Sequence, residues 1–489
     1  MVQIYLILMF ITIFLYNYQV FPLDRTYGVT SLDLVTLLFY LYFIKRIIWN
    51  GDKLTIGWHK AIYFFIGLFI AVLLSGLTPL LGGSSPNLFQ FLKTSIHIIF
   101  LGFFVFIAVS YPIKTETWTN VIKMWLILSI IINIFGIYQI PARAFDLPFA
   151  WLDFTNISMG IRGSIDIEEI KQLSLHWGNF YRATSIFPEP SALASFNVVI
   201  FTFLLVPYIQ KTKAFFKSRI VNVILFITTL AGLFLTFSMT AFAGVFLVIT
   251  GIFLLESFKR LIPLIVILIS SVLIIFLTDS LVKSFAGVSV AELFQNRIEG
   301  IWHYGSVNKE GMEGESIYGR MNTAKRSLNI WKKHPINGCG IGLTAYDKEE
   351  DIYFSDFSSL TALAETGLVG FISLTGMFIA LIIISGKYIT NKKLFSDLTM
   401  EHKRLLGILF YLMLHQVLIN FITGNNLVKD SLWVPLGMIF SIINVTIIKQ
   451  GGKVFTISLM KAPLKQTFLN ALNKSVISEE KKPYKKPLQ

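Results

Sequence analysis

Residues 360–385 read LTALAETGLVGFISLTGMFIALIIIS, an apolar run longer than the roughly 20 residues that carry a helix across a bilayer. Its one charged residue is Glu365, whereas a water-soluble helix of this length needs a charged face. Comparable runs occupy 2–20, 32–49, 61–81, 91–111, 121–139, 192–208, 220–237, 241–255, 261–277, 405–422 and 432–448. Together they predict an all-α polytopic membrane protein of about 12 transmembrane helices. The composition agrees: the chain of 489 residues is 54% hydrophobic, 15% aromatic and 14% charged, with a mean hydropathy of +0.68, far from a soluble domain. The first run lacks a basic leader and a small-residue cleavage site, so it reads as a retained helix and not a removable signal peptide.

The formal net charge of +14 raises nucleic acid as a partner, but the distribution of the charge argues against it. Lys45, Arg46, Lys53 and Lys60 fall on one side with Lys114 and Lys123, with Lys211, Lys213, Lys217 and Arg219, with Lys259 and Arg260, and with Lys387, Lys392, Lys393, Lys403 and Arg404. Short basic connections mark the cytoplasmic side, so the alternation places both termini in the cytoplasm. Residues 1–448 form a single transmembrane domain on this reading. The basic remainder, 449–489 with Lys481, Lys482, Lys485 and Lys486, reads as a disordered cytoplasmic tail. Two long external connections remain, 141–187 and 278–359, the second between helices 9 and 10.

Both external connections carry polar segments of chemical interest. In RATSIFPEPSALASF, residues 182–196, Pro188 and Pro190 predict a helix that starts with Glu189 at its mouth. A helix N-terminus favours phosphate or carboxylate, and Arg182 adds a bidentate donor. The other reading is structural: Glu189 caps the helix and pairs with Arg182. In GRMNTAKRSLNIWKKHPINGCGIG, residues 319–342, Met321, Ala324, Leu328 and Trp331 recur at helical spacing while lysines and arginine fall elsewhere. That pattern predicts an amphipathic helix on the membrane surface, opened by Arg320, ended at His334-Pro335 and followed by a glycine-rich turn. Arg320 either reaches a diphosphate or snorkels to lipid headgroups. Lys93 and His97 interrupt a spanning run one turn apart, and intramembrane polar residues mark function or snorkelling ends. Asp430, beside the last external turn, either binds substrate or opens a helix.

No metal-ligand spacing, P-loop or nucleophile elbow occurs, so no cofactor is expected. The lone Cys339 excludes an intrachain disulfide and reads as a small residue in the turn.

Three local signatures together resemble the O-antigen polymerase and ligase superfamily, the Wzy-type polymerases and their relatives. The first runs from Arg182 through Phe187 and Glu189-Pro190. The second joins Gly319-Arg320, Trp331, His334-Pro335-Ile336, Gly338, Gly340 and Gly342. The third is Leu360-Thr-Ala-Leu-Ala-Glu365-Thr-Gly367-Leu-Val-Gly370. Asp356-Phe357 stands where many relatives have a His-Asn pair, and Ser238-Met239 where a Ser-Arg often follows the seventh helix. The resemblance implies a metal-independent, inverting glycosyltransferase on the outer face of a bacterial cytoplasmic membrane. Its donor would be a glycan on polyprenyl (undecaprenyl) diphosphate and its acceptor a second lipid-linked repeat unit. Capsule, exopolysaccharide or O-antigen synthesis would use it, with a flippase and a chain-length regulator as partners. Arg182 and Arg320 would then stabilise the departing diphosphate. Glu189 or Asp356 would take the acceptor proton, and Lys93 and Asp430 would bind substrate. A ligase would share these motifs. A transporter would be expected to show paired broken helices near the midplane.

Overall fold

A computed structural model describes the chain except for residues 16–17, 25–26, 83–84, 154–171, 173, 175, 178, most of 256–314, 345–357, 423–426, 428–429 and 458–489. Helix α1 (Val2–Thr12) leads through a hairpin of β1 (Gln19–Asp24) and β2 (Tyr27–Thr30) into α2 (Ser31–Asn50). The limits of α2 are written in its ends. Thr30 and Asp33 close a capping box at the start, and Gly51, at φ 68, turns the chain out at the finish. After β3 (Leu54–Gly57) come α3 (Lys60–Ser75), α4 (Leu77–Leu81), α5 (Ser85–Ser110) and α6 (Thr115–Ala144). Beyond β4 (His176–Trp177) and β5 (Phe180–Tyr181) lie α7 (Pro190–Ile209), α8 (Arg219–Leu235) and α9 (Met239–Leu255). The described part closes with α10 (Glu315–Lys333), α11 (Ser358–Thr390), α12 (Lys392–Ser396), α13 (Met400–Ile422), α14 (Asp430–Lys449) and β6 (Val454–Ile457).

Among the described residues, six helical stretches are long and apolar enough to span a bilayer: Lys60–Leu81, Ser85–Ser110, Thr115–Ala144, Pro190–Ile209, Ser359–Thr390 and Leu432–Lys449. Val2–Leu15, Arg219–Leu235 and Ala241–Leu255 are shorter apolar helices. The chain is thus an all-α polytopic membrane protein. Of the apolar runs in the sequence, 261–277 lies outside the described residues apart from isolated positions, and the others are helical over most of their length. The run 2–20 is helical through Leu15, its last turn tightening to a 3-10 helix after Thr12, and the chain enters the hairpin at Gln19. The connection expected from Pro141 starts later, because Pro141 stays within the last turn of α6.

Helix α11 packs against α3 and α13, α14 against α5, and α6 against α8. The connections rich in basic residues meet at one end of this bundle. There Arg46 pairs with Asp52 at 2.6 Å and donates to Tyr111 Oη at 3.0 Å. Arg404 reaches Lys213 O at 2.9 Å and Thr119 Oγ1 at 3.1 Å. Strand β6, at the start of the region read as a disordered tail, pairs antiparallel with β3, Leu54 opposite Ile457. Asn444 of α14 fastens this sheet by donating to Thr55 O at 3.2 Å and accepting from Gly57 N.

His59 precedes the first residue of α3 at this same end, buried against the ring of Phe440 at 5.6 Å. Burial lowers its pKa from 6.5 to about 4. A folded-state value below the unfolded one means that stability is fully present above pH 6.5 and is lost as pH falls toward 4. At about 1.4 kcal/mol per pH unit, acidification from 6.5 to 4 should remove roughly 3 kcal/mol. Thermal unfolding of detergent-solubilised protein across this range should show the drop, and His59→Leu should flatten it; an equal drop in both would sink the assignment to His59.

Candidate active site

The opposite end of the bundle gathers the other polar segments. Helix α6 runs toward it, α7 leaves it, and Ala183 N donates to Leu235 O at 3.0 Å where α8 arrives. Phe180 and Phe237 meet edge to face there, 5.5 Å apart. The segment 182–187 lies on this platform with Arg182 only 9% exposed. Its backbone carbonyl accepts from Arg143 Nη1 at 2.8 Å and from Ser174 Oγ at 3.0 Å. Pro190 takes the first position of α7 and Glu189 the N-cap, with extended backbone, as the Pro-Glu-Pro spacing requires. The Glu189 side chain caps no helix N–H, which corrects the capping alternative. It is exposed and accepts from Ser191 Oγ at 2.5 Å.

The second segment forms as its periodicity predicts. Helix α10 packs against α11 yet leaves Met321 and Leu328 exposed, the apolar outward face that a helix at a membrane surface needs. Arg320 falls in the second turn of α10 rather than opening it, because the helix begins at Glu315. At the other end Trp331 Nε1 donates to Pro335 O at 3.0 Å, and the chain turns through Gly338, Gly340 and Gly342 at φ 74, 116 and 80. Only glycine takes such angles without strain.

That turn is fastened into the bundle by the same backbone groups that would otherwise make an anion nest. Gly338 N donates to His334 O at 3.0 Å, Cys339 N to Ala364 O at 2.9 Å and Gly340 N to Glu365 O at 3.0 Å. Ile341 N reaches Ser75 Oγ at 3.3 Å. In the reverse direction Leu368 N donates to Pro335 O at 2.9 Å. These bonds meet α11 where Gly367, at φ 65 and ψ −166, interrupts its helical geometry. From α4, Thr78 Oγ1 donates to Gly338 O at 2.7 Å and accepts from Asn337 Nδ2 at 2.9 Å. Glu365, fully buried, accepts from Thr344 N at 3.3 Å and Thr344 Oγ1 at 2.6 Å. The turn is therefore a lock between α3, α4 and α11, and Cys339 is a half-buried small residue within it.

The sequence-derived candidates are thus distributed unevenly. Arg182 and Glu189 share one assembly on α6 and α7. Lys93 is half-buried on α5 beside Thr94, and Thr94 abuts Gly342. Asp430 opens α14, the structural alternative for it. Asp356 lies outside the described residues. Sequence reasoning passed over Gln139, Arg143, Gln172, Thr78 and the buried carboxylate of Glu365. Gln139 and Arg143 carried a usable signal, since polar residues four apart at the end of an apolar run share one helix face. No group of three or more His, Cys, Asp or Glu suited to a metal occurs among the described residues.

Fold and site define a multi-pass membrane protein whose polar machinery sits at the bundle end away from its basic connections. Residues 224–375 match a family model described as O-antigen ligase. The match runs from within α8 through the surface helix and the glycine turn into α11, so this stretch of the chain is similar to that family. It supports a membrane glycan-processing enzyme. No curated protein matches the chain.

Proposed function

We propose that this protein is a bacterial polysaccharide polymerase that transfers a glycan from polyprenyl diphosphate to a sugar hydroxyl of another lipid-linked repeat unit. The observation that carries the reading is the family match at 224–375, which spans the surface helix and its locked turn. Under the positive-inside rule the end bearing Arg182 and the turn faces away from the cytoplasm, where such a lipid-linked donor would be met on the outer leaflet. The acceptor oxygen attacks the anomeric carbon from the face opposite the diphosphate. The new C–O bond forms as the old one breaks, and its electron pair leaves on the diphosphate. Fixed cations stabilise that charge as it develops; Arg182 and Arg320 serve this role. The hydroxyl proton passes to a carboxylate, Glu189 or Asp356, of which Glu189 is open to solvent.

The description of the matched family as an O-antigen ligase favours a second reading, transfer to a different acceptor such as a lipid A core. Purified protein in liposomes, given polyprenyl-diphosphate repeat units without nucleotide, should yield a ladder of integral repeats. Unchanged single units that are consumed only when lipid A core is added would replace the polymerase with a ligase. Movement of intact units across the bilayer without new bonds would make the protein a transporter.

A further inference from the structure

One face of α6 meets the Arg182 segment along its length: Ile132, Gly136, Gln139 and Arg143 follow one another at intervals of three or four residues, so they lie in line along the helix. Each step holds one step of the Arg182 segment. Ser185 Oγ donates to Ile132 O at 2.6 Å. Gly136 admits the segment closely, since a Cβ there would touch those of Ser185 and Ala183 at 3.4 and 3.7 Å. Gln139 Nε2 donates to Ser185 O at 3.1 Å, and its Oε1 accepts from Thr184 Oγ1 at 3.1 Å. Arg143 completes the row through Arg182 O.

The guanidinium of Arg143, 6% exposed, is held on all sides. Nε donates to Ala150 O at 2.8 Å, Nη1 to Arg182 O at 2.8 Å, and Nη2 to Gln172 Oε1 at 2.7 Å and Thr184 Oγ1 at 2.5 Å. Its plane lies over the ring of Trp151, 4.1 Å from the centroid. Every one of these acceptors is neutral. Among the described residues no carboxylate pairs with this charge, and a buried charge held by neutral groups is expensive relative to an apolar side chain of similar volume. A methionine would fill this space with less desolvation. The charge is placed one hydrogen bond from the backbone of Arg182, and the burial that raises its expense also lets its field act with little screening.

We infer that Arg143 is a positioning residue for the glycan transfer proposed above: it fixes the backbone that presents Arg182 and supplies a further, fixed positive charge to the seat of a diphosphate. The inference rests on that reading for its substrate. Its fork of donors sets geometry, and its charge sets affinity for the anion; these two contributions separate in the variants Arg143→Lys and Arg143→Met.

The test uses the full chain in nanodiscs, with equilibrium binding of farnesyl diphosphate and of farnesol, beside the transfer rate in liposomes. Arg143→Met should weaken farnesyl diphosphate at least fivefold and leave farnesol binding unchanged, a charge-specific loss that a packing defect would not produce. Arg143→Lys keeps the charge but loses the fork, so it should hold farnesyl diphosphate within about threefold of wild type while kcat falls roughly tenfold. Wild-type binding and rate in a folded Arg143→Met protein would overturn the inference, as would equal weakening of farnesyl diphosphate and farnesol. If Arg143→Met does not fold, Arg143→Lys decides alone, and an undiminished kcat in it is the overturning result. Failure of the polymerase reading looks different: wild type then binds farnesyl diphosphate with the same dependence on Arg143 but extends no glycan.

Discussion

Arg182→Ala should lower the rate of glycan transfer at least about a hundredfold, with insertion and abundance unchanged, and Arg320→Ala should do the same. Removing one donor that stabilises developing negative charge takes roughly 100- to 1,000-fold from an enzyme's rate, which corresponds to about 3–4 kcal/mol in the barrier. A diphosphate leaving a sugar concentrates its new charge on few oxygens, so a site with two such arginines depends on each. The structure adds a condition for Arg182. Its carbonyl and the neighbouring Thr184 and Ser185 are tied to α6, so truncation beyond Cβ leaves the backbone seat intact and removes the guanidinium alone. Arg182→Lys keeps the charge without the bidentate fork and should recover part of the rate. The measurement is ladder formation from lipid-linked repeat units in liposomes with matched protein amounts. Normal rates in both alanine variants would remove the diphosphate clamp from the mechanism.

The parts of this fold that announced themselves did so through their ends as much as through their apolar runs. The Pro-Glu-Pro start of α7 is local chemistry that needs no tertiary context. The surface helix was equally legible, because Met321, Ala324, Leu328 and Trp331 hold helical spacing in a segment otherwise polar. Other features depend on partners far away in the chain. Strand β6 exists by pairing with β3, and the four residues Val454–Ile457 alone do not reveal a partner near residue 55. The hairpin of β1 and β2 overlaps the first apolar run only at residues 19–20 and otherwise fills the gap before the second run, where hydropathy alone marks no strand. The row on α6 was hidden differently. Gln139 and Arg143 stand at the edge of a strongly apolar run, and their burial against 182–185 becomes visible only once that segment folds back onto the helix. In the same way an isolated glycine in an apolar helix is tolerated, so nothing local marks Gly367 as the point where α11 opens to receive the turn.

Gly367→Ala and Gly338→Ala should each unseat that turn and abolish activity. Both glycines have positive φ, 65 and 74 degrees, where a side chain costs about 1–2 kcal/mol. Steric collision costs more. A Cβ on Gly367 would run into the carbonyl of Ile336, and one on Gly338 into the backbone of Glu365, so each glycine is crossed by the chain that carries the other. Neither obstacle is the flexible end of a side chain. Relief requires the turn and α11 to move apart, which stretches the bonds from Cys339 N to Ala364 O and from Leu368 N to Pro335 O. Overpacking of a close contact adds about 1–3 kcal/mol, giving a combined destabilisation of roughly 2–5 kcal/mol. Gly287 also has positive φ but a Cβ there meets nothing within 4 Å among the described residues, so Gly287→Ala separates backbone strain from collision and should lose little. Thermal unfolding of the three purified variants, read beside their transfer rates, decides the matter. If Gly367→Ala is as stable and active as Gly287→Ala, the locked turn is not what holds the surface helix to the bundle.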